Sequence, residues 1–174
     1  AVEVARRAFP SWAALTSKQR AEVFFRYRSL LDANQDSLAQ LIHEENGKTL
    51  AEGRAEVVRA MEVTEFACAL PQLVAGEVLE VSRGVECRVD RVPLGVVASI
   101  VPFNFPVMVP HWTIPIALGL GNAMVFKPSE QVPLSANRTA ELLAEAGLPA
   151  GVFNVLHGDH RAVEGIADHP GIEA

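Results

Sequence analysis

PLGVVASIVPFNFPVMVPHWTIPIALGLGNAMVFKPSE, residues Pro93 to Glu130, decides the fold of this chain. Val96 to Val101 is an apolar run rich in β-branched residues, interrupted only by Ser99, between Gly95 and Pro102, the pattern of a strand buried on both faces. A second apolar run, Ala123 to Phe126, leads straight into Lys127-Pro128-Ser129-Glu130. Between the runs, Pro102-Phe103-Asn104-Phe105-Pro106 fixes two φ angles around one amide side chain and flanks it with two rings. Asn104 is therefore expected in a stiff, apolar mouth. Both polar clusters follow strand C-termini, and open parallel sheets bind ligands in the crevice outside those ends.

Outward from this stretch, strands and helices alternate. Strand 96–101, helix 108–120, strand 123–126, helix 134–146, strand 152–156 and helix 161–167 make repeated βα units, hence a parallel sheet with right-handed crossovers. Pro110 suits an opening turn, whereas Pro115 is expected to kink its helix or move its start. Gly147 stops the next helix, with Pro149 just beyond. The alternation calls for another strand where Gly171-Ile172-Glu173-Ala174 closes the chain, so the sheet is expected to be incomplete. AVEVARRAFPSW at the start reads as a helix already under way, and the sequence as an N-terminal fragment.

Upstream, Thr16 or Ser17 caps a helix carrying Arg20, Phe24, Tyr27, Leu30 and Leu31, which ends near Asn34. Asp36 or Ser37 caps a shorter one with Leu38, Leu41 and Ile42, closed by Asn46-Gly47. Thr49 starts a third, with Leu50, Val57, Met61, Thr64 and Cys68 as its packed stripe and Glu52, Arg59 and Glu62 off it. From Gly76 the period becomes two, around Ser82-Arg83-Gly84, giving a hairpin with one polar face. Such a ribbon is marginal alone and is expected to pair with other sequence or another subunit. The fold class is α/β: a partial Rossmann-like parallel sheet (93–174) preceded by a helical segment (1–75) and a β-hairpin (76–92).

The 174 residues, 49% hydrophobic and 21% charged, fit an ordinary globular core. A net charge of -6 argues against a nucleic-acid partner. No apolar run reaches the roughly 18 residues that span a bilayer, so no membrane partner is expected. Two cysteines and no secretory signal fit a reducing, cytoplasmic setting. Cys68 and Cys87 read as structural. His157 and His160 lack a third ligand nearby, so no metal is expected. Asn137-Arg138-Thr139 reads as helix, and Glu44-Glu45 as a wet face.

Three motifs in order carry a resemblance: PFNFP, FKPSE, and Gly147-Leu148-Pro149-Ala150-Gly151-Val152-Phe153-Asn154-Val155. Together they resemble the aldehyde dehydrogenase superfamily, most of all its CoA-acylating methylmalonate-semialdehyde branch. The resemblance covers the whole chain but only the N-terminal part of the family's length. It implies that Asn104 donates to the oxyanion formed as a thiol adds to an aldehyde; the plainer alternative is an Asn bonding its own loop. It implies that Lys127 and Glu130 bind the adenosine ribose of NAD, with Val101, Phe103 and Gln131 beside the cofactor. The alternative for Lys127 and Glu130 is a solvated surface pair. Gln131 stands where many relatives have Arg, which leaves NAD versus NADP open.

A GxGxxG fingerprint is absent, and the family binds pyrophosphate at a later helix start. There Gly158-Asp159-His160-Arg161 lacks the paired glycines of other branches, which predicts a less snug phosphate site. Arg59 is implied to pair with the substrate carboxylate, the alternative being an ordinary exposed helix arginine. Neither cysteine lies in the family's nucleophile motif, so residues 1–174 alone are expected to be inactive.

The implied reaction is NAD-dependent oxidation of methylmalonate or malonate semialdehyde, with CoA as co-substrate, in a homo-oligomer (dimer or tetramer). Two other readings stand: a general NAD(P)-dependent aldehyde dehydrogenase releasing a free acid, and a noncatalytic nucleotide-binding or assembly module.

Overall fold

The structure, a computed structural model, describes residues 1–174. Its elements are α1 (Val2–Ala13), α2 (Ser17–Ala33), α3 (Gln35–Asn46), α4 (Leu50–Cys68), the single turn α5 (Leu70–Leu73), β1 (Glu77–Ser82), β2 (Val85–Val89), β3 (Val96–Ile100), α6 (Met108–His111), α7 (Ile114–Gly119), β4 (Ala123–Lys127), α8 (Pro133–Glu145), β5 (Phe153–Val155) and α9 (His160–Ala167). β3, β4 and β5 form a parallel sheet in that order, and β1 and β2 an antiparallel hairpin apart from it. The α/β class is therefore as the sequence implied.

Apolar layers cover both sheet faces. Val97, Met124 and Phe126 join Phe24, Tyr27, Leu31, Ile42 and Met61 of α2, α3 and α4 in the main core. Val96, Ala123 and Val125 take the opposite face, with Ala5 of α1 and Ile166 of α9. All five residues of β4 are consequently buried, which is why its sequence shows no polar alternation.

Glu173 N donates to Val96 O (2.8 Å) and Ala98 N donates to Ala174 O (2.7 Å), along the edge of β3 that β4 leaves free. The chain thus reaches one side of β3 through α7 and the other after α9. The order of connection reverses at β3, which makes the crevice at its carboxyl end a topological switch point.

Several local expectations change. The helix expected over 108–120 is split into α6 and α7, because Pro115 sits in the first turn of α7, where its missing N–H costs nothing. Thr16 and Thr49 form capping boxes with Gln19 and Glu52. α3 has no side-chain cap: Ser37 Oγ donates to Asn34 O (2.9 Å) and Asp36 accepts from Arg54 (2.7 Å) instead. On α4 the buried face runs through Gly53, Glu56, Val57, Ala60, Met61, Thr64 and Ala67. Leu50 is exposed, because the close approach of α3 centres on Gly53, three residues further on. Cys68 is half-buried, and burial pushes its thiol up. Cys87 is exposed on the hairpin, both of whose strands are exposed throughout, so it has no packing role within this chain.

Candidate functional site

Ile100 stands in register with Lys127, and Val101 N donates to Lys127 O (3.2 Å). The Pro102–Pro106 loop and the Lys127–Glu130 turn therefore leave adjacent parallel strands at the same end. Val101 is buried at the root of the first loop, while Phe103 and Phe105 are partly exposed.

Asn104 is exposed, and no hydrogen bond within the chain engages its carboxamide. The turn-bonding alternative is therefore not realised. The backbone around it is fastened from outside the loop. Asn46 Nδ2 donates to Phe103 O (2.9 Å), and Lys48 Nζ donates to Asn104 O (2.7 Å). Lys48 Nζ also donates to Glu56 Oε2 (2.6 Å) and lies 3.7 Å above the Phe105 ring centroid. Glu56 is 3% exposed, and its Oε1 accepts from Val107 N (2.7 Å) and Met108 N (3.0 Å). A free amide donor on a loop held this firmly can stabilise charge developing on a reacting oxygen.

Lys127 is 4% exposed, and its ammonium meets only Glu130 Oε2, at 2.9 Å. A solvated surface pair would have two wet partners; here the cation is buried and only the carboxylate is exposed. The Glu130 carboxyl is held below its ordinary value by the hydrogen bond from its own amide, and then by Lys127. An ammonium with donors to spare beside an exposed two-oxygen acceptor can hold a vicinal diol. Gln131 is exposed next to it, its amide donating to Ser129 Oγ (3.3 Å).

Arg59 is exposed on α4 and donates to Glu62 (2.7 Å). It lines a depression of about 300 Å³ with Lys48, Glu52, Glu56, Phe105 and Met108. It is thus brought to the flank of the Asn104 loop, apart from the Lys127 turn. At the start of α9, Asp159 accepts from Arg161 N (3.0 Å), so a carboxylate already caps that helix. His157 donates from Nε2 to Asn137 Oδ1 (2.8 Å).

Four residues that serve this rim escaped the sequence reading. In the sequence Asn46 marks only a helix-closing turn with Gly47, and no motif singles out Lys48 or Glu56. Glu45, taken as part of a wet face, is half-buried and accepts from Leu134 N (2.7 Å) and Ser135 N (2.9 Å) at the start of α8. The one available signal was a carboxylate inside a packed helix stripe, at Glu56, which a core does not tolerate unpaired.

The profile of the aldehyde dehydrogenase family matches residues 1–174. Malonate-semialdehyde dehydrogenase 2 of Geobacillus thermodenitrificans is 49% identical over 100% of this chain and 36% of its own length. Malonate-semialdehyde dehydrogenase of Halalkalibacterium halodurans is 47% identical with the same coverage. Among solved structures, the methylmalonate-semialdehyde dehydrogenase of Oceanimonas doudoroffii is 43% identical at a TM-score of 0.97, over 98% of this chain and 35% of that one. PnpE of Pseudomonas sp. WBC-3 is 36% identical at 0.95, over 98% and 36%, and has also been solved with nicotinamide adenine dinucleotide. The chain spans about a third of the length of the curated relatives it matches. Over its whole described length, the chain belongs to the aldehyde dehydrogenase family.

Proposed function

We propose that these residues are the N-terminal part of an NAD-dependent semialdehyde dehydrogenase that transfers its acyl product to CoA. The observation that carries this reading is the unbonded Asn104 carboxamide on the same rim as the buried Lys127 ammonium. A malonate-type substrate is supported by the names of the relatives, and by Arg59 beside the Asn104 loop.

The residues present fit NAD. Lys127 and Glu130 would grip the adenosine ribose, Val101 and Phe103 would lie against the cofactor, and Gln131 would border it without adding charge. Bound NAD supplies the hydride acceptor. A cysteine thiolate from outside residues 1–174 adds to the aldehyde carbon, and the carbonyl oxygen becomes an oxyanion that Asn104 steadies by donating from Nδ2. Loss of hydride leaves a thioester on that cysteine. Breaking the bond from Cα to the carboxylate held by Arg59 releases CO2 and leaves a thioester enolate, which takes a proton from water at Cα. The CoA thiol then gives up its proton and displaces the cysteine thiolate, forming the acyl-CoA. The domain bounds 1–75, 76–92 and 93–174, a cytoplasmic setting, and an oligomer assembled through the exposed β1–β2 ribbon complete the proposal.

The test is Asn104→Ala in the full-length protein. A fall in kcat of roughly 100- to 1,000-fold with NAD affinity retained is expected, the usual loss for one oxyanion donor. Wild-type turnover in that variant, or turnover by residues 1–174 alone, would overturn the reading. Acyl-CoA formation against free-acid release separates the CoA branch from a general dehydrogenase.

A further inference from the structure

We propose that Lys48 is a positioning residue for the oxyanion donor, and that the α3–α4 connection which carries it sets both rim loops in register. The inference rests on the function proposed above. Asn104 has a free carboxamide, so nothing bonded to that side chain fixes its direction. Its aim must come from the backbone beneath it. That backbone is pinned at successive carbonyls by two residues on either side of Gly47: Asn46 at Phe103 O (2.9 Å) and Lys48 at Asn104 O (2.7 Å). The pin is itself anchored. The Lys48 side chain is only 19% exposed, and its partner Glu56 has both oxygens engaged, Oε2 by Lys48 and Oε1 by the amides of Val107 and Met108. Loop and pin therefore share one carboxylate, and Glu56 holds the segment that follows Asn104 as Lys48 holds Asn104 itself.

The same connection reaches the cofactor side. Glu45, one residue before Asn46, accepts from Leu134 N and Ser135 N, where the chain leaves the Lys127–Glu130 turn to enter α8. Four residues, Glu45 to Lys48, thus contact the exits of both strands. Left-handed Gly47 (φ 80°) closes α3 and turns the chain between them. Lys48 touches no reacting atom. It acts by keeping the donor where the oxyanion forms, and a misplacement of about 1 Å at such a site can cost roughly 100-fold in rate.

The experiment is a double-mutant cycle in the full-length enzyme, with Lys48→Met, Asn104→Ala and both together. Lys48→Met is expected to lower kcat roughly 10- to 100-fold while KM and the Kd for NAD stay within about threefold. The double variant is expected to be no slower than Asn104→Ala alone, because a donor already removed cannot be misaimed. If the two losses multiply, or if Lys48→Met raises KM while sparing kcat, the positioning role is wrong. If Asn104→Ala keeps full activity, the function itself is wrong, a different outcome. Asn46→Ala, which removes one surface-accessible bond and spares the buried ion pair, repeats the cycle where Lys48→Met fails to fold, with the same two outcomes deciding.

Discussion

His111 makes the protein lose stability in acid by an amount the structure allows to be worked out. The ring is fully buried between the site loop and α2, with Nδ1 2.6 Å from Val107 O and Nε2 2.7 Å from Tyr27 Oη. A carbonyl only accepts, so Nδ1 carries the hydrogen, Nε2 is bare, and Tyr27 donates to it. The ring stacks on Tyr27 with centroids 5.7 Å apart and is neutral. Burial pushes its pKa down from 6.5 to about 4, against the opposing pull of Val107 O. Between those values the unfolded chain binds a proton that the native state refuses, so stability falls as pH falls. The His111 contribution is intact above pH 6.5, about 2 kcal/mol smaller at pH 5, and about 3 kcal/mol smaller once pH is below 4. His111→Gln keeps an acceptor for Tyr27 and a donor for Val107 O but does not titrate. Urea unfolding at pH 7 and pH 5 should show the wild type losing about 2 kcal/mol more than this variant over that interval. Carboxylates common to both proteins cancel in the difference. Equal losses would refute the neutral-ring assignment.

Gly53→Ala tests the α3–α4 crossing: its Cβ would lie 3.0 Å from Ala39 O, so an overpacking cost of roughly 1–3 kcal/mol outweighs a helix-propensity gain of about 1 kcal/mol. Net destabilisation of about 1 kcal/mol is expected in urea unfolding, and a more stable variant would show that the crossing is loose. Glu130→Gln should weaken NAD about tenfold by titration calorimetry, since it removes the charge from the exposed acceptor and leaves Lys127 buried without its anion. An unchanged Kd would remove Glu130 from the ribose site.

The strands, and the rim they create, were legible because burial on both faces leaves a plain mark: β4 is apolar from Ala123 to Phe126, β3 is apolar but for Ser99 and emerges only at Ile100, and the polar clusters begin at the strand ends. Helix starts were legible where the cap is local, as at Thr16 and Thr49, and illegible at α3, which follows α2 with no capping side chain. On α4, Val57, Met61 and Thr64 are buried as expected, but Leu50 and Cys68 are not; Gly53 and Ala60 carry little hydrophobic signal, yet small residues are what let a neighbouring helix come close.

The supports of the Asn104 loop left no such mark, and the reason is separation along the chain. Lys48 meets Asn104 across 56 residues, Glu56 meets Val107 across 51, and Glu45 meets Leu134 across 89. No period or spacing joins them, and each taken alone has an ordinary explanation as a turn residue or a surface charge. Motifs of a rim are short because each lies on one strand exit, whereas whatever holds two exits together must come from a third place. In this fold that place is the α3–α4 connection. Its charged residues are tolerated in partly buried surroundings because each finds a fixed partner: Lys48 the carboxylate of Glu56, and Glu45 the first free amides of α8. Replacing Glu56 strands the Lys48 ammonium, and replacing Glu45 strands two amides at the start of α8, so the sequence of this connection is constrained by two loops that it never enters.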